Sequence, residues 1–216
     1  MWQLYVKKNK LVVKIICVAK NYAAHAAEFD AVVPQNPIFF LKPDSALLIR
    51  NRPFYYPDFS KNVHYELELV VRINRLGKGI QPRFAHKYYS EVALGIDFTA
   101  RDLQAEAKRS GNPWAVAKGF DNSAAVSEFV SLEKLGKPID QLKFRLLKNG
   151  EQVQTGDTSQ MLFDVDRLIA EISQFMTLKT GDYLFTGTPA GVGPVRIGDV
   201  LEGFLEDMPL LKCRIK

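Results

Sequence analysis

Apolar and polar positions alternate over short stretches along most of this chain, the period of two expected of half-buried β-strands. Strands are predicted over 11–18, 37–41, 46–50, 65–73, 91–97, 141–148, 182–187, 199–204 and 209–215. Asn149-Gly150, between two such runs, is a two-residue hairpin signal, because both central positions of that turn favour residues that tolerate positive φ. The helical period appears in three places. Residues 21–29 are alanine-rich, and residues 99–109 follow a candidate Thr99 cap. In 164–176, Val165, Leu168, Ile169, Ile172, Phe175 and Met176 share one face behind an Asp164 cap, which reads as core packing. Lys179-Thr180-Gly181-Asp182 and Arg196-Ile197-Gly198-Asp199 each place a basic residue and a Gly-Asp turn before a strand. This is one turn chemistry used twice, not a repeat period. The pattern predicts a β-rich α+β fold.

No low-complexity segment or Pro/Ser-rich linker divides the 216 residues, so a single domain, 1–216, is expected. The N-terminus does not read as a signal peptide, since Lys7, Lys8, Lys10 and Lys14 break up its apolar positions. No uninterrupted apolar run approaches the roughly 18–20 residues of a membrane helix. Cys17 and Cys213 show no CxxC spacing and read as reduced, buried thiols of a cytoplasmic protein, not zinc ligands. The net charge of +5 is spread along the chain and not gathered into a run, which argues against a nucleic-acid partner and is compatible with a small anionic substrate.

The candidate chemistry begins in Val63-His64-Tyr65-Glu66-Leu67-Glu68-Leu69-Val70-Val71. On one strand, Glu66 and Glu68 point the same way. Either they face water on an edge, or they are buried and need a cation or strong donors between them. A third carboxylate, Asp97, ends the apolar run 92–97, and three carboxylates on adjoining strands suit a hard divalent cation. His25 and Glu28, three apart on a predicted helix, form either a surface ion pair or an oriented general base. Arg101 and Gln104 have the same spacing and could grip a carboxylate. His64 lies two positions before Glu66, while His86 sits in a polar stretch and reads as surface. Lys118, alone in an apolar run, is either a snorkelling surface lysine or a fixed charge for a developing oxyanion. Thr188 lies in the Gly/Pro-rich loop 185–194, whose amides and hydroxyl could hold an anion but which lacks a P-loop ending.

Taken in order, Cys17-Val18-Ala19-Lys20-Asn21-Tyr22 with His25 and Glu28, the Glu66/Glu68 pair, Gly95 to Gln104, Ala117-Lys118-Gly119-Phe120-Asp121 and Thr186 to Gly193 resemble the fumarylacetoacetate hydrolase family. The likeness runs from about residue 14 to the C-terminus and is greatest to its small single-domain members. It implies a mixed β-sheet roll with few short helices, a homodimer, and Mg2+ or Mn2+ held by Glu66, Glu68 and Asp97. It also implies a lid over about 19–35 that carries His25 and Glu28, with Arg101, Gln104, Lys118 and Thr188 around the substrate. The substrate expected is a small 2-oxo acid. The reaction implied is hydrolytic C–C cleavage of 2,4-dioxo acids through a metal-stabilised enolate, catalysed by His25, Glu28 and Lys118. Oxaloacetate decarboxylation or tautomerisation, isomerisation of an unsaturated 2-oxo diacid, and a catalytically silent homologue stay open. Two positions depart from the family pattern: Ala19-Lys20 replaces the more usual Gly-Arg, and Tyr65 stands where a second histidine is frequent.

Overall fold

The computed structural model describes residues 14–24 and 33–216. Its strands are β1 (Ile15–Ala19), β2 (Ile38–Lys42), β3 (Leu47–Ile49), β4 (Val63–Tyr65), β5 (Leu67–Ile73), β6 (Tyr89–Asp97), β7 (Thr99–Ala100), β8 (Ala124–Val126), β9 (Val130–Ser131), β10 (Lys143–Lys148), β11 (Glu151–Asp157), β12 (Tyr183–Phe185), β13 (Gly193–Pro194), β14 (Val200–Leu205) and β15 (Met208–Arg214). The α-helices are short: α1 (Pro82–Ala85), α2 (Arg101–Ser110), α3 (Ala115–Lys118), α4 (Leu132–Leu135) and α5 (Val165–Phe175).

The largest sheet runs β2-β1-β12-β5-β6-β8-β3, with β9 alongside β6. It is mixed: β1 pairs with β12, and β3 with β8, in parallel, while the other neighbours are antiparallel. A second sheet, β11-β10-β14-β15, packs against it, with Gly203 of β14 opening room for Leu94 and Leu67. A third, small sheet of β13-β4-β7 closes one end. The two larger sheets and α5 share a core that includes Leu67, Leu69, Leu94, Phe144, Leu168 and Leu201. Together they make the curled, β-rich α+β roll expected from the sequence.

Local signals account for much of this. Asn149 and Gly150 take φ 55 and 88, and β10 and β11 pair directly across them. In the two Gly-Asp turns, Gly181 and Gly198 both adopt φ 98, and Asp182 and Asp199 accept the amides of Lys179 and Arg196 at 2.7 and 2.8 Å. Asp164 caps α5 by accepting the Arg167 amide at 2.7 Å, and Val165, Leu168, Ile169 and Ile172 are buried.

Four local expectations change. Phe175 is 70% exposed: it is the last residue of α5, at the edge of the apolar face, and its ring lies against Phe39 outside the core. Thr99 does not cap α2: it is a strand residue paired with His64, its hydroxyl donates to the Asp97 carbonyl, and Ala100 precedes the helix without a side-chain cap. The predicted strand 65–73 is broken at Glu66, with Tyr65 in the small sheet and Leu67 in the large one. Lys118 lies on a helical turn, α3, where no helix was expected. The strand predicted from residue 11 and the helix predicted over 21–29 lie partly outside the described residues, as do His25, Glu28 and most of the 19–35 segment.

Candidate metal centre and active site

Three strand ends bring the carboxylates together. The break at Glu66 turns the chain between two sheets, and the Asp97 amide donates to the Glu66 carbonyl at 2.9 Å, so the end of β6 lies beside that turn. Glu68 sits opposite Gly95 in the β5–β6 register. A side chain at Gly95 would strike Phe185 and Val70, so the glycine lets the strands pack closely under the acidic groups. Glu66, Glu68 and Asp97 are at most 5% exposed, and one oxygen from each lies within 4.8 Å of the others. The solvent-edge reading of the pair is thereby excluded.

Burying three carboxylates so close together requires compensation. The Lys118 ammonium lies 2.8 Å from both Glu66 Oε2 and Asp97 Oδ2. Burial opposes its charge, but Asp97 and Glu66 outweigh that and hold its pKa above the ordinary lysine value. Lys118 is therefore a fixed buried cation, not a snorkelling surface residue. Arg101 pairs with Glu66 Oε1 and donates to Gln104 Oε1 at 2.6 Å, so these two α2 residues act as one unit. The remaining Asp97 oxygen lies 2.7 Å from the ammonium of Lys42, which also donates to the Ser123 hydroxyl and carbonyl. Ser123 in turn donates to the Lys118 carbonyl at 2.8 Å, tying the two lysines into one frame.

Glu68 differs from its neighbours. Its Oε2 accepts the Gly187 amide at 2.6 Å. Burial, then the charges of Asp97 and Glu66, raise its pKa well above the ordinary 4.5, and the Gly187 bond and Lys118 only partly offset them. Gly187 has φ 99, and a Cβ there would lie 2.7 Å from Asn21 Cβ, so both conformation and space require glycine. The fully buried Asn21 pins this loop to the chain after β1 by donating to the Thr186 carbonyl at 2.7 Å and exchanging bonds with Phe163.

Thr188 is also in the wall, with its hydroxyl donating to the Leu67 carbonyl at 2.8 Å and accepting from Gln154 at 2.9 Å. It braces the loop against β5. His64 is half-buried beside Asn62, and burial together with Arg101 lowers its pKa to about 4, so it is neutral near pH 7. It carries no charge toward the carboxylates. His86 is exposed on the surface. Just after β1, Lys20, and not Ala19, takes the left-handed conformation with φ 58.

The carboxylates open into a cavity of about 350 Å³, within the roughly 300–1,000 Å³ usual for small-molecule sites. Arg101, Gln104, Lys118 and Thr188 line it with the three acids. So do Lys20, which the sequence marked only as a departure from the family pattern, and Phe40, Lys108 and Trp114, which sequence reasoning did not single out. Lys42 was also missed, although it carries the same signal as Lys118: a lone lysine closing an apolar run, here Ile38 to Leu41. Three buried carboxylates with only oxygen donors, one of them destabilised by its neighbours, fit a hard divalent cation.

The family profile described as fumarylacetoacetate (FAA) hydrolase, C-terminal, matches residues 14–216. The chain belongs to the fumarylacetoacetate hydrolase family. It is 40% identical over 202 residues to the mitochondrial oxaloacetate tautomerase FAHD1 of Bos taurus, covering 94% of this chain and 91% of that protein. It is 41% identical over 190 residues to the mitochondrial oxaloacetate decarboxylase of Dictyostelium discoideum, covering 88% and 87%. Its fold superposes on fumarylpyruvate hydrolase from Pseudomonas aeruginosa, solved with Mn2+ and pyruvate, with a TM-score of 0.89 and 34% identity over 94% and 89% of the chains. The protein is thus an enzyme of this family with a buried acidic metal site.

Proposed function

We propose that this enzyme cleaves a carbon–carbon bond in small 2,4-dioxo acids, the acylpyruvates. The observation that carries the proposal is the convergence of Glu66, Glu68 and Asp97 with the fixed cation Lys118 and the Arg101–Gln104 pair on one cavity. The Mn2+ and pyruvate in the Pseudomonas neighbour support it. Glu66, Glu68 and Asp97 would hold Mg2+ or Mn2+, which supplies Lewis-acid polarisation of a 2-oxo acid when bound.

The chain's own groups supply the rest. Arg101 and Gln104 orient the substrate's carboxylate end. His25, oriented by Glu28, takes a proton from water, whose oxygen adds to the C4 carbonyl. The C3–C4 bond then breaks, and its electron pair moves to the C2 oxygen as an enolate. The Lys118 ammonium stabilises that charge, since it is already in place and needs no reorganisation. Return of the proton to C3 gives pyruvate and a carboxylic acid.

The names of the curated relatives favour a second reading on the same residues, oxaloacetate tautomerisation or decarboxylation. Loss of CO2 gives the same enolate with no attacking water, so it needs Lys118 but not His25. Loss of the ultraviolet enol absorbance of acetylpyruvate, followed with Mg2+ and then with EDTA, tests the first reading. Chelator-sensitive formation of acetate and pyruvate is the expected result. No loss with either Mg2+ or Mn2+, alongside turnover of oxaloacetate, would replace hydrolysis by the second reading.

A further inference from the structure

The net charge of +5 is dispersed in the sequence, but folding gathers part of it on one face outside the acid-lined cavity. Lys212, Arg214 and Lys216 alternate with the buried Leu211, Cys213 and Ile215 along β15 and the two residues after it. The three cations therefore leave one face at intervals of roughly 7 Å. Residues 51–56 run beside this stretch in parallel. The Phe54 amide donates to the Arg214 carbonyl and the Lys216 amide to the Phe54 carbonyl, both at 2.8 Å. Phe54 points inward like Ile215, so Pro53 and Tyr55 point outward with the cations.

Between the two segments lies a cavity of about 300 Å³, lined by Asn51, Pro53, Lys212, Arg214 and Lys216. No acid is in its wall, and Arg52 shares the small hollow beside it with Lys212. The opposing charges nearby are few. Glu202 takes the Lys212 ammonium at 2.8 Å, and Asp199 is engaged by the Arg196 amide and by Asn149. Even with Lys216 set against the carboxylate of its own chain end, two guanidinium groups stay uncompensated. Among the described residues, neither Arg52 nor Arg214 forms a side-chain ion pair.

The turn that delivers Arg52 is built against local preference. The Arg52 amide closes it on the Ile49 carbonyl, and both central residues, Arg50 and Asn51, are left-handed with φ 63 and 52. Such turns favour Asn-Gly, and a left-handed arginine costs about 1–2 kcal/mol. Asn51 accepts the Lys212 amide at 3.0 Å, which ties turn and strand into one frame. Guanidinium forks held in place match the several oxygens of a phosphate group. Tyr55, 65% exposed, adds a ring at the Lys216 end of the row, and such rings stack on nucleobases.

We propose that this cleft binds a small molecule carrying a diphosphate, whose charged oxygens lie across Arg214 and its neighbours Lys212 and Lys216. One phosphate group meets a single pair of adjacent heads, whereas two linked groups reach the heads on both sides of Arg214. The ligand is free diphosphate, or a nucleoside diphosphate whose base rests on Tyr55. The cleft shares no lining residue with the acid-lined cavity, so it stands apart from the reaction proposed above.

The test is calorimetric titration of the metal-free protein, in EDTA, with inorganic pyrophosphate and separately with ADP. Binding of at least one with Kd below about 1 mM, weakened by added salt, is expected. Arg214→Met combined with Lys216→Met removes two exposed side chains, so melting temperature and Mn2+ affinity should be unchanged. The Kd should rise roughly 10-fold to 100-fold, what one lost charge-assisted hydrogen bond amounts to. Tyr55→Ala separates the two sources. Weaker ADP with unchanged pyrophosphate assigns the nucleotide, and no change in either assigns free diphosphate. No binding of either anion, or an affinity that survives in the double variant, would overturn the site. So would loss of binding in a folded Arg101→Met variant, which would place the anion in the acid-lined cavity.

Discussion

The carboxylate cluster and the β11-β10-β14-β15 sheet are held together by opposite kinds of force. In the sheet, each contact favours folding: Leu146, Leu201 and Leu205 are buried, Asp199 closes its turn by accepting the Arg196 amide, and Asn149 ties the hairpin to Asp199 and Val200. In the cluster, three buried carboxylates oppose folding, and Lys42, Lys118, Arg101 and the Gly187 amide only offset them. The sheet has little left over to respond to a ligand. The cluster keeps an unrelieved repulsion at Glu68, which binding of a dication would remove. Strain of this sort is expected where an active site trades stability for function.

Substitutions should separate the two regions sharply. The largest effect belongs to Glu68→Gln. It keeps the shape, removes one negative charge, and should lower metal-dependent turnover by about 10³-fold, the several kcal/mol a polarising metal supplies. The same change should leave the melting temperature of the metal-free protein equal or higher. Unchanged turnover at limiting metal would remove Glu68 from the ligand set. Next is Lys118→Met, which leaves Glu66 and Asp97 short of a buried partner. A loss of about 3–5 kcal/mol in denaturant unfolding is expected, together with a fall in kcat.

Gly187→Ala forces a left-handed alanine against Asn21 and shifts the amide that Glu68 accepts. A cost of about 1–3 kcal/mol in denaturant unfolding is expected, with weaker Mn2+ binding by calorimetric titration. The smallest effect belongs to the sheet. Asn149→Ala loses the side-chain bonds to Asp199 and Val200 and puts alanine at φ 55, which should cost about 1–2 kcal/mol and leave Mn2+ affinity unaltered.

Acidity gives a further contrast. Folding raises the pKa of Glu68, so above the ordinary 4.5 the folded protein binds more protons than the unfolded one. The metal-free protein therefore loses stability as pH rises from 4.5 through the raised value. Saturating Mg2+ should flatten this fall, because the metal takes the place of the proton. Melting curves from pH 5 to pH 8 with and without Mg2+ check it, and parallel curves would show that Glu68 does not meet the metal.

The same contrast explains what was legible in the chain. The hairpin at Asn149-Gly150, the Gly-Asp turns and the Asp164 cap are encoded in a few adjacent residues, and each formed where the sequence placed it. Glu66, Glu68 and Asp97 were visible because acids are out of place in apolar strands. Their burial was not, because it depends on cations from distant segments. Lys42 looks like an ordinary surface lysine, and Lys118 like either that or a fixed charge, until folding carries both to Asp97 at the end of β6. Thr99 resembled a helix cap because its neighbours suit a helix, yet pairing with His64 claimed it for a strand. Lys108 gave no signal of its own, since only folding brings it to the cavity wall beside Trp114.

The central claim is that the three buried acids hold a catalytic dication. Anomalous diffraction from crystals soaked in Mn2+ and pyruvate tests it most directly. One strong peak bounded by Glu66, Glu68 and Asp97, with pyruvate density between it and Arg101, is the predicted result. Manganese bound elsewhere, with no peak among the carboxylates, would contradict it.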